Sequence, residues 1–116
     1  PLWSRGLGDV YKRQLYIMSG MWANRYPTLS YAKRHNHSRD DDVIDIIFNI
    51  KKPERSGDLF LKIDNNEYRL GIDEGDLIIF PGVLEHWTDP NQSGEDRIII
   101  GLEYHLRGGY NDSRYS

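Results

Sequence analysis

β-Branched and aromatic residues recur along the 116-residue chain in short runs, each closed by turn-forming residues before the next begins. Tyr16 to Tyr26 is rich in aromatics and stops at Pro27, and Thr28 to His35 reads as a second strand. Val43-Ile44-Asp45-Ile46-Ile47-Phe48-Asn49-Ile50 is a third, closed by Lys51-Lys52-Pro53-Glu54-Arg55-Ser56-Gly57. Leu59 to Ile63 and Tyr68 to Ile72 flank Asp64-Asn65-Asn66-Glu67, a hairpin signal. Leu77 to Phe80, Leu84 to Trp87 and Asp96 to Leu102 follow, the last built around Ile98-Ile99-Ile100. No stretch carries the 3.6-residue apolar period of a useful helix. About eight short strands with turns roughly every 8 to 12 residues predict an all-β sandwich or barrel.

Residues 1–14 stand apart from this pattern. Ser4 to Gln14 resembles the translation of a transposase-type sequencing-library adapter, and no methionine starts the chain. Pro1 to Gln14 is therefore set aside as a scar, leaving residues 15–106 as the domain and 107–116 as a polar tail expected to fray. The same reading predicts a metagenomic fragment whose natural gene begins before Leu15. The full chain carries 15 Lys and Arg against 18 Asp and Glu, a formal net charge of −3, and without residues 1–14 the balance is more acidic still. One modest acidic domain is expected, without the basic, aromatic-interleaved stripe of a nucleic-acid binder. The longest apolar runs are strand-sized, well short of the roughly 18 residues a bilayer span needs, so no membrane partner is expected. There is no cysteine. Disulfides and thiolate ligands are thereby excluded, which fits a cytoplasmic protein, and a metal would have to rest on histidine and carboxylate.

Three of the four histidines fall at two points compatible with one metal site. Residues i and i+2 of a strand share a face, so His35 and His37 can offer two imidazoles to one ion while Asn36 turns away. His86 follows Gly75-Asp76-Leu77-Ile78-Ile79-Phe80-Pro81. Imidazole is the commonest ligand for iron, zinc, copper and nickel, although any one of these histidines taken alone reads as a solvated side chain. Pro90 to Glu95 is rich in turn formers between two strand candidates. A hairpin centred between Asn91 and Gln92 would set His86 directly opposite Arg97, with Cβ atoms about 5 Å apart. A guanidinium in so apolar a strand needs an anion. Glu85 or Asp96 could supply it internally, or a ligand carboxylate could accept its two parallel hydrogen bonds.

Taken together, Trp22-Ala23-Asn24, His35-Asn36-His37, Pro53 to Gly57, Gly75 to His86, Pro90-Asn91-Gln92-Ser93 and Asp96-Arg97-Ile98 resemble a 2-oxoglutarate/iron(II)-dependent oxygenase family of bacteria and phages. The resemblance spans about Met21 to Tyr104. It implies a double-stranded β-helix, or jelly roll, holding one Fe(II) at its mouth and hydroxylating a small-molecule or peptide substrate. On this resemblance His86 is the distal metal ligand, His35 the proximal one, and Arg97 the residue that pairs with the far carboxylate of 2-oxoglutarate. The wider superfamily has a carboxylate two residues after the first histidine, where this chain has His37. Either His37 completes a three-histidine site, or Asp40, Asp41 or Asp42 folds back to supply the carboxylate. As a charged run, Arg39 to Asp42 is ordinarily a solvated turn. Trp22 and Trp87 are candidates to line the pocket, and Asn24 and Tyr31 could reach the cosubstrate.

Two other readings stay open. Cupins share the jelly roll, a His-x-His, and a later histidine after a G-x5-P segment, which Gly75 to Pro81 and His86 satisfy. However, Leu29 stands where the cupin motif has glycine, none lies near Asn49, and Arg97 has no role there. The other reading is a non-catalytic jelly-roll binding or virion-associated module whose histidines bind nothing.

Overall fold

Val43, Asp45, Ile47 and Asn49 occupy alternate positions of one strand, and all four side chains turn to the interior. That period-2 pattern, repeated along the chain, builds the molecule. The computed structural model describes residues 15–37 and 42–107; the adapter-like segment, Asp40, Asp41 and the tail after residue 107 lie outside the described residues. The strands are β1 (Leu15–Tyr26), β2 (Val43–Lys51), β3 (Leu59–Ile63), β4 (Asn66–Leu70), β5 (Leu77–Pro81), β6 (His86–Thr88) and β7 (Arg97–Arg107). One antiparallel sheet runs β1-β7-β2-β5 and the other β4-β3-β6. Among the described residues there is no helix, and hence none long and apolar enough to cross a membrane.

The expected second strand, Thr28 to His35, is reduced to one antiparallel bridge between His35 and His86. Its backbone still runs beside β6, with His35 N–H donating to His86 O at 3.1 Å and His86 N–H to His35 O at 2.9 Å. A full strand is prevented by a turn at Pro27 to Ser30, where Leu29 is held at φ 74°. With that bridge counted, two facing four-strand layers result, and the architecture is the double-stranded β-helix expected from the sequence. The β3–β4 hairpin is tighter than its sequence suggests: Ile63 pairs with Asn66, so only Asp64 and Asn65 turn, with Asp64 at φ 56°.

Leu59, Leu61 and Phe80 form the buried core, with Ile47, Leu70, Ile78 and Leu84 packed around them. The larger sheet is stacked in rungs. Trp22 lies opposite Gly101, which lies opposite Ile47; one rung below, Asp45 faces Glu103. Gly101 is what lets the indole lie flat across the sheet, because a Cβ there would come within 2.3 Å of the Trp22 ring. Gly101→Ala is expected to push the ring out of place and cost about 1–3 kcal/mol of stability. The urea midpoint, together with Trp22 fluorescence, checks this.

Candidate functional site

The site begins with the bridge that joins His35 to His86, which places the two rings 4.1 Å apart between centroids. His37 is fixed separately, its backbone N–H donating to Gly82 O at 2.9 Å. Its ring centroid lies 5.0 Å from that of His35 and 4.9 Å from that of His86. One nitrogen from each of the three imidazoles falls within 4.8 Å of the others.

Each ring is held from behind. His35 Nδ1 is 2.5 Å from Lys33 O, and His86 Nδ1 is 3.0 Å from Leu84 O. A carbonyl only accepts, so both Nδ1 atoms carry the proton and both Nε2 atoms keep a free lone pair, the tautomer a metal ligand needs. His37 Nδ1 faces carboxylates instead, at 2.8 Å from Asp45 Oδ2 and 3.5 Å from Glu103 Oε2. Trp22 meets His37 edge-on at 5.5 Å, and Phe80 meets His86 at 4.9 Å.

These surroundings pull the two buried rings in opposite directions. The close contact and charge of Asp45, helped by Glu103, raise the His37 pKa above the ordinary value against the cost of burial. Burial lowers that of His86 to about 4, with His35 and His37 adding to the fall and Leu84 O opposing it. In the metal-free protein, the unfolded chain therefore takes up a proton between pH 6.5 and about 4 that folded His86 refuses, so stability falls as the pH drops through this window. The loss is on the order of 2 kcal/mol once solvent screening is allowed for. The raised His37 pKa stabilises at low pH, but that contribution is complete below 6.5 and constant across the window. Urea midpoints at pH 6.5 and 4.5 should differ more for the wild type than for His86→Gln.

Arg97 lies in the other sheet. It pairs across the ladder with Tyr26 and not with His86, correcting the expected hairpin register, because Asp89 to Asp96 crosses from one sheet to the other. Asn91, fully buried, organises that crossing: its side-chain amide donates to Tyr26 O at 2.9 Å and Glu95 O at 2.7 Å and accepts from the backbone N–H and hydroxyl of Ser93. Both His86 and Arg97 nevertheless face the interior and line one hollow.

Arg97 is 3% exposed, and its Nε and Nη2 are buried without a hydrogen-bond partner among the described residues. Among the described residues its one aromatic contact is the Tyr26 ring, 4.3 Å away. Burial lowers its pKa, while Tyr26 and Asp58 act in the opposite sense. Neither acid expected as an internal partner serves: Asp96 pairs with Arg25, and among the described residues Glu85 forms no ion pair. The nearby cation Lys52 is occupied by Asp58 at 2.7 Å.

Of the other expected residues, Trp22 and Asn24 line the hollow, Trp87 stacks on Phe60 at its rim, and Tyr31 is exposed and outside it. The side chain of Asp42 is exposed, and it is not among the residues that gather around the histidines. The carboxylates that do approach His37, Asp45 and Glu103, come from β2 and β7. Asp45 was legible as an acid in phase with Val43 and Ile47 on an inward face.

Neither a known family model nor a curated protein sequence matches the chain. Among solved structures it is similar to a 2OG-Fe(II) oxygenase family oxidoreductase from Burkholderia pseudomallei, with TM-score 0.74 and 17% identity over 92% of this chain and 53% of that one. A prolyl-4-hydroxylase from Pseudomonas putida gives TM-score 0.62 and 20% identity over 76% of this chain and 51% of that one. The cupin domain of a transcriptional regulator from Enterobacter cloacae gives 0.53 and 16% over 82% and 99%. The chain spans about half the length of the two oxygenases. At these identities the likeness establishes the fold that oxygenases and cupins share.

Proposed function

We propose that this domain is a non-haem Fe(II) and 2-oxoglutarate-dependent dioxygenase acting on a small-molecule or peptide substrate. The observation that carries the reading is the unpartnered guanidinium of Arg97, buried in the same hollow as the three imidazoles. A buried cation without an anion is costly, and a dicarboxylate cosubstrate supplies the missing charge. The cupin reading accounts equally well for the histidines and leaves Arg97 without a purpose.

His35, His37 and His86 would hold the metal, His35 and His86 through the Nε2 atoms their backbone contacts leave free. Iron(II) and 2-oxoglutarate, when bound, supply the oxidative chemistry, coupling decarboxylation to succinate with hydroxylation of a substrate C–H bond. The chain contributes position and dryness. Arg97 would grip the far carboxylate of the cosubstrate and fix its orientation, with Tyr26 backing the guanidinium. Trp22, Ile47, Leu59 and Ile99 line the hollow with apolar surface that limits water at the reacting centre. Anaerobic addition of Fe(II) and then 2-oxoglutarate to the purified chain should produce a visible charge-transfer band, and admission of oxygen should release succinate. A protein that binds iron without developing the band on adding 2-oxoglutarate would contradict the reading and leave the cupin alternative.

A further inference from the structure

We propose that Asp45 is the positioning residue of the metal centre: it holds His37 by Nδ1, aims Nε2 at the ion, and lends the centre the negative charge that a third histidine does not bring. This rests on the metal reading above and extends it to a residue outside the ligand set.

Asp45 has no other evident purpose. It is 1% exposed, the third residue of β2, and both carboxylate oxygens are buried without a hydrogen bond among the described residues. Burying a carboxylate in this way costs several kcal/mol unless a cation or donors compensate. Its cross-strand neighbour is another acid, Glu103, and like charges directly opposed repel. Glu103 directs its Oε1 to the Ser19 hydroxyl and His105 Nε2, leaving Oε2 on the side of His37. Among the described residues His37 is the one basic side chain in ion-pair range of Asp45.

The surrounding backbone is shaped to keep the two together. Gly82 accepts the His37 N–H through its carbonyl and donates its own N–H to Val43 O at 2.8 Å, which lays this turn over β2. A Cβ on Gly82 would come within 3.2 Å of Asp45 Oδ2 and 2.7 Å of Val43. The absent side chain thus brings the histidine segment down onto the carboxylate. At 2.8 Å the two atoms are in contact, but the oxygen lies off the N–H direction.

The chemical consequence is a matter of charge. Three neutral imidazoles leave a divalent ion at +2, whereas two imidazoles and a carboxylate leave it at +1. A carboxylate hydrogen-bonded behind one imidazole makes that ring a stronger donor and restores part of the difference from one shell further out.

The test uses the whole chain. Long-range ¹H–¹⁵N correlation on the zinc(II)-loaded protein should show His37 protonated at Nδ1 and metal-bound at Nε2. Asp45→Asn, nearly isosteric, is expected to weaken cobalt(II) binding about 10- to 100-fold and to move the iron couple to higher potential. Glu103→Gln, removing the more distant acid, should change affinity less than about threefold. Metal on His37 Nδ1 overturns the proposal, whether or not Asp45→Asn folds. So does an Asp45→Asn protein matching the wild type in affinity and potential, or one losing affinity with the potential unchanged, which would mark Asp45 as structural. A wild-type chain that takes up no metal overturns the metal reading itself, and this one with it.

Discussion

Arg97→Met is expected to weaken 2-oxoglutarate binding strongly while making the metal-free protein more stable. Both effects follow from one fact, an arginine 3% exposed with two nitrogens unpartnered among the described residues. Truncating one member of a buried, hydrogen-bonded charge pair costs about 2–5 kcal/mol, so cosubstrate affinity should fall at least about 30-fold. Without cosubstrate the pair does not exist, and the folded state carries an uncompensated cation. Methionine fills similar volume without charge. The cation–π contact with Tyr26 is worth about 1 kcal/mol and is lost, so a net gain of about 1–2 kcal/mol is expected. Calorimetric titration of the Fe(II)-loaded protein with 2-oxoglutarate measures the first effect, and urea unfolding of the metal-free protein the second. A stability loss in Arg97→Met would show that the guanidinium has an internal partner and is not waiting for a ligand.

His86→Ala and His35→Ala are expected to share one loss and differ in another. Each removes a proposed metal ligand, and metal affinity should fall about 1,000-fold or more, since two remaining imidazoles make a poor site for a divalent ion. Stability separates them. His86 is 2% exposed, packed against Phe80 and enclosed between the sheets, so its removal opens a cavity costing about 2–3 kcal/mol. The His35 side chain is exposed, and the bridge to β6 uses only its backbone, so His35→Ala should leave the urea midpoint nearly unchanged. Cobalt(II) titration followed by absorbance, alongside unfolding curves, distinguishes loss of a ligand from loss of the fold.

The strands were legible because the sheet faces impose their period on the residues, as Val43, Asp45, Ile47 and Asn49 illustrate. What failed were inferences about pairing. The segment Thr28 to His35 has strand-forming residues, yet the turn at Leu29 leaves only His35 in register with β6. The stretch Pro90 to Glu95 has hairpin composition, but Asn91 turns inward and ties it to Tyr26 and Glu95, so that it spans the two sheets. Turn residues report that the chain reverses. They do not report whether it returns to the same sheet.

The candidate site divides in the same way. The i, i+2 spacing of His35 and His37 is local information, and the structure sets both rings beside His86. The carboxylate behind His37 comes from β2, brought there by the pairing of strands distant in sequence. Of the acids that follow His37 closely in sequence, Asp42 is exposed and does not gather with the histidines, while Asp40 and Asp41 lie outside the described residues. The more telling sign was an acid on an apolar face, because only a strong local reason keeps a carboxylate there. Leu29 carries a related lesson. At the position where the cupin motif has glycine, its φ of 74° is one that glycine adopts freely.

The most direct measurement is anomalous diffraction from crystals of the chain grown anaerobically with Fe(II) and 2-oxoglutarate. The account predicts a single iron peak about 2.0–2.2 Å from one nitrogen each of His35, His37 and His86, with the cosubstrate's far carboxylate against Nε and Nη2 of Arg97. Iron elsewhere, or 2-oxoglutarate bound with Arg97 still unpartnered, would contradict it.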